Sequence, residues 1–349
     1  MADYLFVPYG AHGHVNPMLP VVAELVTRGD RVRVLLSGHR FAAAFAGAGA
    51  EPVVSWRGHD VRVAAERSPR EAVAWVHNRV RRRRAWFDAS RRSAEEFRER
   101  RPDLVVADPM APWASRLARR WELPVVPFWT THARSPTGVG PALVNALPEF
   151  QPRPHRFSAR FRFVGPLIAP VDADPGPSWA GSGPALLVSP GTVFTRSPGF
   201  FTAVARAFAG TDWTVLMATA HTSPRELGSL PPNVLARHWL PQRALLPRVD
   251  VFLTHGGMNS VQEALLHGVR MLVVPRSREQ RHTARRLDGL DLARGWDLRA
   301  PLGAAVDRLL ADGAVRSATG AMRQRLAAHP AASLAADVLQ QAVSAHGRC

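Results

Sequence analysis

Short apolar runs alternate along this chain with glycine-bearing turns and with stretches whose apolar residues recur at helical spacing. Tyr4 to Pro8 reads as a strand, Gly10-Ala11-His12-Gly13-His14 as a turn, and Asn16-Pro17 as a helix start with proline at its first position. Met18, Leu19, Val22, Leu25 and Val26 then keep helical spacing until Gly29, and Arg31 to Leu36 supplies the next strand. Pro102 to Asp108 is an apolar strand that Asp103 begins and Asp108 ends; Trp121 to Pro127 is a further strand, followed by a loop from Trp129 to His132. The second half repeats the theme. Ala185 to Ser189 is a strand, Pro190-Gly191-Thr192 a turn, Phe200 to Ala209 a helix and Trp213 to Ala218 a strand. Val251 to Thr254 is a buried parallel strand, His255-Gly256-Gly257 turns the chain, and Asn259-Ser260 opens a helix, with Asn or Ser as its cap, that Gly268 closes.

These βαβ units predict an α/β protein with its turns at the C-terminal edges of parallel sheets, where open α/β folds bind ligands. Residues 165–184, rich in Pro, Gly, Asp and Ser, read as a linker, and Ala331 to Ala345 is helical by periodicity. The expected organisation is an N-terminal domain over 1–166, a linker over 167–184, a second domain over 185–330 and a terminal helix within 331–349.

A length of 349 residues with 46% hydrophobic content fits two globular domains with separate cores. The net charge of +17 invites a nucleic-acid partner, but every basic residue is arginine and there is no lysine. Together with abundant Ala, Pro and Gly, that suggests a GC-rich, actinomycete-like coding sequence. No nucleic-acid module is present, so no nucleic-acid partner is expected; an acidic ligand such as a nucleotide diphosphate would be steered favourably. Cys349 is the single cysteine, which excludes an intrachain disulfide. No signal peptide precedes the first strand and no apolar run has the ~20 residues of a membrane span, so a cytoplasmic protein is expected.

Glycines ahead of a helix start let backbone approach a ligand, and the free N–H groups there favour phosphate. Any α/β protein owns such junctions, so the His255-Gly256-Gly257 turn is informative through what surrounds it. Glu263 lies one helical turn beyond Asn259, where a carboxylate can accept from ribose hydroxyls. In the first half, His14 directly precedes a helix start and is a candidate base. Asp108, at the end of its strand, is the candidate partner that fixes its tautomer, or else caps the following turn. His12 reads as a solvated or capping group.

The spacing of Trp239, Pro241, Gln242, Thr254, His255, Gly257, Asn259, Ser260, Glu263, Gly268, Val269, Pro275, Glu279 and Gln280 resembles the donor-binding signature of glycosyltransferases that act on small molecules. GHVNP around His14 and PDLVVADP around Asp108 resemble the N-domain motifs of the same family, especially its bacterial macrolide and antibiotic enzymes. That resemblance implies a GT-B architecture, two Rossmann-like domains facing across a cleft, with the C-terminal helix packed back on the N-domain. It implies an inverting, metal-independent transfer from a UDP- or dTDP-sugar to a small-molecule hydroxyl, without a bound cofactor. By the same resemblance His14 is the base and Asp108 its partner. Trp239 stacks on the nucleobase and Gln242 lies beside base and ribose. Glu263 holds the ribose; Thr192, His255, Gly257, Asn259 and Ser260 meet the diphosphate. Glu279 and Gln280 bond the transferred sugar. Arg270 departs from the pattern, where proline usually follows Gly-Val.

Residues 56–100 match the family least. Trp56, Trp75, Trp86 and Phe87 lie there among many arginines, including Arg81 to Arg84, and either line an apolar acceptor pocket or anchor amphipathic helices. Two other functions fit parts of the chain: a glycosyltransferase with a lipid-linked acceptor, and a catalytically silent auxiliary protein on the same scaffold. A nicotinamide dehydrogenase is disfavoured because no GxGxxG follows the first strand. The oligomeric state, a homodimer among the options, is left open.

Overall fold

A computed structural model of the chain describes residues 1–54, 97, 99–134, 140–169, 174–179, 183–191 and 196–346. The chain divides into two compact units, Met1–Ala169 with Pro330–Cys349, and Pro170–His329. Thr192 and the stretch with Trp56, Trp75, Trp86 and Phe87 lie outside the described residues.

The first unit contains β1 (Asp3–Val7), α1 (His12–Val15), α2 (Met18–Thr27), β2 (Arg31–Leu36), α3 (Ala42–Gly47), β3 (Glu51–Val54), β4 (Leu104–Ala107), α4 (Pro112–Arg120), β5 (Val125–Trp129), β6 (Ala142–Val144) and β7 (Phe161–Phe163). Among the described residues its strands form one parallel sheet in the order β3-β2-β1-β4-β5-β6-β7. The order reverses between β1 and β4, the place where such sheets open a crevice beyond their strand ends. Val7 stands level with Ala107 across that pair, so the residues that follow each strand emerge side by side.

Alternation along the strands builds the core on both faces. Tyr4, Phe6, Val32, Val34, Leu104 and Val106 pack to one side with Met18, Val21, Val22 and Leu25 of α2. Leu5, Val7, Leu35, Val105 and Ala107 pack to the other with Trp113, Ala114, Leu117 and Ala118 of α4. The strand expected from Trp121 starts later, at Val125, and includes Trp129. Trp121 instead ends α4, its N–H bonding Leu117, and Glu122 takes a left-handed φ of 59° to turn the chain.

The second unit contains β8 (Ala185–Ser189), α5 (Pro198–Ala207), β9 (Thr214–Ala218), β10 (Val234–Arg237), α6 (Gln242–Leu245), β11 (Val251–Thr254), α7 (Met258–Leu266), β12 (Arg270–Val273), α8 (Arg278–Asp288), β13 (Arg294–Gly295), α9 (Leu302–Ala311) and α10 (Gly313–Ala327). Its parallel sheet runs β10-β9-β8-β11-β12-β13 and reverses order between β8 and β11. Thr254 pairs with Ser189 at that point. Leu186, Val188, Val251 and Leu253 pack with Phe201, Val204 and Ala205 of α5 and with Leu302, Val306 and Leu309 of α9.

The last helix, α11 (Ala331–His346), belongs to the first unit. Ala331, Ala335, Ala336 and Leu339 join the core formed with α2. Small residues let the two helices approach, and polar groups seal the margin. Arg28 donates to Asp337, Gln340 and Ser333, while Gln340 donates to Asp30 at 2.8 Å. No helix among the described residues is long and apolar enough to cross a membrane.

Candidate active site

Past the end of β1 the chain folds at once into the single turn of α1, so His14 is helical and not part of an open loop. Buried Val15 anchors that turn, Asn16 ends it and Pro17 starts α2. The consequence is a fixed imidazole. His14 Nδ1 lies 2.6 Å from Asp108 Oδ2, and Asp108 is 1% exposed. The other carboxylate oxygen, Oδ1, accepts the Met110 backbone N–H at 2.7 Å. Asp108 thus caps its turn with one oxygen and bonds His14 with the other, so the two alternatives read from the sequence are not exclusive.

A carboxylate that close keeps the proton on Nδ1 and leaves the lone pair on Nε2, which is what a general base needs. Two neighbours fix the ring further. Thr130 Oγ1 stands 3.2 Å from Nδ1, and Tyr9 meets the imidazole edge to face at 5.1 Å. Thr130 follows β5 as Asp108 follows β4, so its signal in the sequence was its place after a strand. His12 turns elsewhere: Arg40 Nη2 lies 3.1 Å from its Nε2, and the Phe41 ring packs on its face.

In the second unit, β11 delivers His255 beside the turn that follows β8. Gly191 and Gly257 make room for its ring. A Cβ on Gly191 would lie 2.6 Å from His255 Cε1, and one on Gly257 would lie 2.4 Å from Nε2. Burial pushes the imidazole down to about 4, and the charge of Arg196 acts the same way. His255 is thus a neutral ring that offers dipoles and no charge. Its Nδ1 is fully enclosed without a well-aligned hydrogen-bond partner among the described residues, although a Ser189 backbone interaction opposes the shift in part.

The cap of α7 is Gly257, with ordinary extended angles, and not Asn259 or Ser260. These two lie in the first turn, because Val261 N–H already bonds Gly257. The first-turn N–H groups of a helix have no acceptor within it, an arrangement that suits an anion. At its other end α7 closes with a Schellman pair, Gly268 N–H to Leu265 and Val269 N–H to Ala264.

Ser260 and Glu263, one turn apart on α7, meet Gln242 at the start of α6. Gln242 Nε2 donates to Glu263 Oε2 at 2.6 Å and to Ser260 Oγ at 3.2 Å. Trp239, just upstream, keeps 52% of its surface exposed, unusual for a large apolar ring. After β12, Ser277 caps α8 in a capping box with Gln280. Gln280 Oε1 accepts the N–H groups of Arg276 and Ser277, at 2.7 and 3.1 Å. Glu279 sits beside it in the first turn of α8.

Two parallel α/β units, one with a paired histidine and the other with a helix start beside an enclosed imidazole, define the GT-B class of glycosyltransferase. Comparison with known proteins agrees. Residues 97–291 match the model of the family "UDP-glucoronosyl and UDP-glucosyl transferase". The chain is 30% identical to the demethyllactenocin mycarosyltransferase of Streptomyces fradiae, over 90% of this chain and 81% of the relative. It is 31% identical to the oleandomycin glycosyltransferase of Streptomyces antibioticus, over 81% of this chain and 76% of that one. Among solved structures, the calicheamicin glycosyltransferase CalG4 superposes with a TM-score of 0.80 at 30% identity, covering 99% of this chain and 98% of that one. This chain belongs to the UDP-glucoronosyl and UDP-glucosyl transferase family and is a hexosyltransferase-type enzyme.

Proposed function

We propose that the enzyme moves a sugar from a UDP- or dTDP-sugar to a hydroxyl of a small natural-product acceptor, with inversion and without a metal. The observation that carries the reading is the 2.6 Å bond from His14 Nδ1 to a buried Asp108 whose second oxygen is already engaged. His14 Nε2 takes the acceptor proton as the acceptor oxygen bonds to the anomeric carbon. The anomeric C–O bond to phosphate breaks, and the nucleoside diphosphate leaves with its electron pair. Asp108 steadies the imidazolium that forms. The growing negative charge on the leaving group is met by the first-turn N–H groups of α7 and by His255. Trp239, Gln242 and Glu263 supply the surfaces for base and ribose, and Glu279 and Gln280 those for the sugar.

An antibiotic-like acceptor is supported by the relatives, whose names are those of demethyllactenocin, oleandomycin and calicheamicin transferases. The test is a panel of UDP- and dTDP-hexoses against surrogate acceptors, with and without chelator, for the wild type and His14→Ala. Transfer should persist in chelator and fall about 10²–10⁴-fold in the variant, with nucleotide affinity kept. Tight nucleotide binding with no turnover by the wild type would mark a silent auxiliary protein instead.

A further inference from the structure

Among the described residues two arginines are almost wholly buried, and they are treated differently. Arg33, 4% exposed in the first unit, has a carboxylate: its Nε donates to Asp3 at 2.9 Å. Arg196, 6% exposed between the β8 turn and α5, has none among the described residues. Its Nη2 donates to the Val274 carbonyl at 2.5 Å, just past β12, and its own carbonyl accepts from Thr222 Oγ1 beyond β9. The guanidinium carbon lies 4.9 Å from the Phe200 ring centre. Nε is enclosed with no hydrogen-bond partner among the described residues. Burial lowers Arg196 to about 10, and the charge of a second cation, Arg276, acts the same way.

An uncompensated buried charge is costly, and natural proteins keep one where an anion arrives to complete it. Here the surroundings point to such an anion. His255 feels the Arg196 charge, which adds to the effect of burial and is opposed by a Ser189 backbone hydrogen bond. Gly191 and Gly257 clear the space around that ring. Gly257, which follows that ring after Gly256, caps α7.

We infer that Arg196 is the fixed counter-charge of the donor diphosphate, a positioning residue that acts from behind the neutral His255 and holds the Val274 end of β12 in place. The inference rests on the reading of the second unit as a nucleotide-sugar site. It divides the labour there. His255 and the helix start give direction to the phosphates, and Arg196 supplies the full positive charge that a neutral imidazole lacks. The ligand class it selects is a nucleoside diphosphate over its nucleoside.

The test measures binding of UDP, dTDP and uridine by calorimetry to the wild type, Arg196→Met and Arg196→Lys, with a thermal melt of each. The methionine variant should bind the diphosphates at least about tenfold more weakly and uridine within about twofold. The lysine variant, which keeps the charge and loses the planar fork, should hold the diphosphates within about threefold of wild type. An equal loss for uridine and UDP in the methionine variant would make Arg196 a structural staple. So would a tenfold loss in the lysine variant, a result that stands even if the methionine variant does not fold. If the wild type binds neither UDP nor dTDP, the donor-site reading falls and this inference with it. Wild-type binding with an unchanged methionine variant overturns this inference alone.

Discussion

Asp108→Asn tests the base more sharply than removing it would. In the native site the two carboxylate oxygens have separate tasks, Oδ1 accepting from Met110 N–H at 2.7 Å and Oδ2 holding His14 Nδ1 at 2.6 Å. An asparagine has only one acceptor oxygen. If it stays with Met110, its NH2 faces Nδ1, which must then give up its proton; the proton moves to Nε2 and the base is lost. If the amide flips to keep the tautomer, the Met110 N–H is left facing another donor. That costs about 1–3 kcal/mol. A neutral amide also loses the charge-assisted bond that steadies the imidazolium in the transition state, worth roughly 1.5–3 kcal/mol. Together these come to about 2.5–6 kcal/mol, or about 10²–10⁴ in rate. The assay pairs kcat for transfer with calorimetric affinity for UDP or dTDP, with a thermal melt to exclude misfolding. kcat should fall by that factor while affinity stays within about twofold. A folded variant that keeps a tenth of its kcat would refute the tautomer argument.

Gly257→Ala should leave the fold intact, because φ of −68° and ψ of 135° suit alanine, but its Cβ would stand 2.4 Å from His255 Nε2. The ring must retreat by about 1 Å, enough to cost about 10²-fold in transfer, and an unchanged kcat would show that the imidazole position is not needed. The pH dependence of stability follows from His255, whose folded value near 4 lies below its ordinary 6.5. The folded protein binds fewer protons between these values, so this contribution is complete above pH 6.5 and disappears as pH falls toward 4. On the order of 3 kcal/mol is at stake at this enclosed ring. His255→Gln should flatten the acid side of a melting-temperature profile relative to wild type, and parallel profiles would contradict it. In the first unit, Leu339→Ala should lower unfolding free energy by about 2–5 kcal/mol in a denaturant titration. Leu334→Ala, at 37% exposure, is the control that should cost far less.

Much of the fold was legible because the strands at each sheet centre are buried on both faces. β2, β8 and β11 fall on the residues expected from their apolar runs. β6 and β7, of three residues each, are too short to show a period. β5 was misplaced because α4 ends at Trp121 with Glu122 in a left-handed conformation, where a glycine would have marked the stop. α1 was missed for a related reason. A turn with two histidines and a glycine has little helix propensity, and it is helical because buried Val15 fixes it.

The site divides the same way, and the division has a cause. His14 and Asp108 are 94 residues apart, yet each follows an apolar strand, and the pairing of β1 with β4 is what joins them. Gly191 and His255 occupy the matching place in the second sheet, after β8 and β11. One topology therefore presents a histidine twice, and the environment decides its chemistry. In the first unit a carboxylate accompanies the ring, which remains 27% exposed and can exchange a proton. His255 is held neutral chiefly by burial, with Arg196 acting the same way and Glu279 opposing it. A base requires a partner that welcomes its positive charge; a phosphate site requires that no such carboxylate compete with the ligand. Arg196, whose charge reaches His255, is one arginine among many in the sequence, and its burial with no carboxylate partner among the described residues sets it apart.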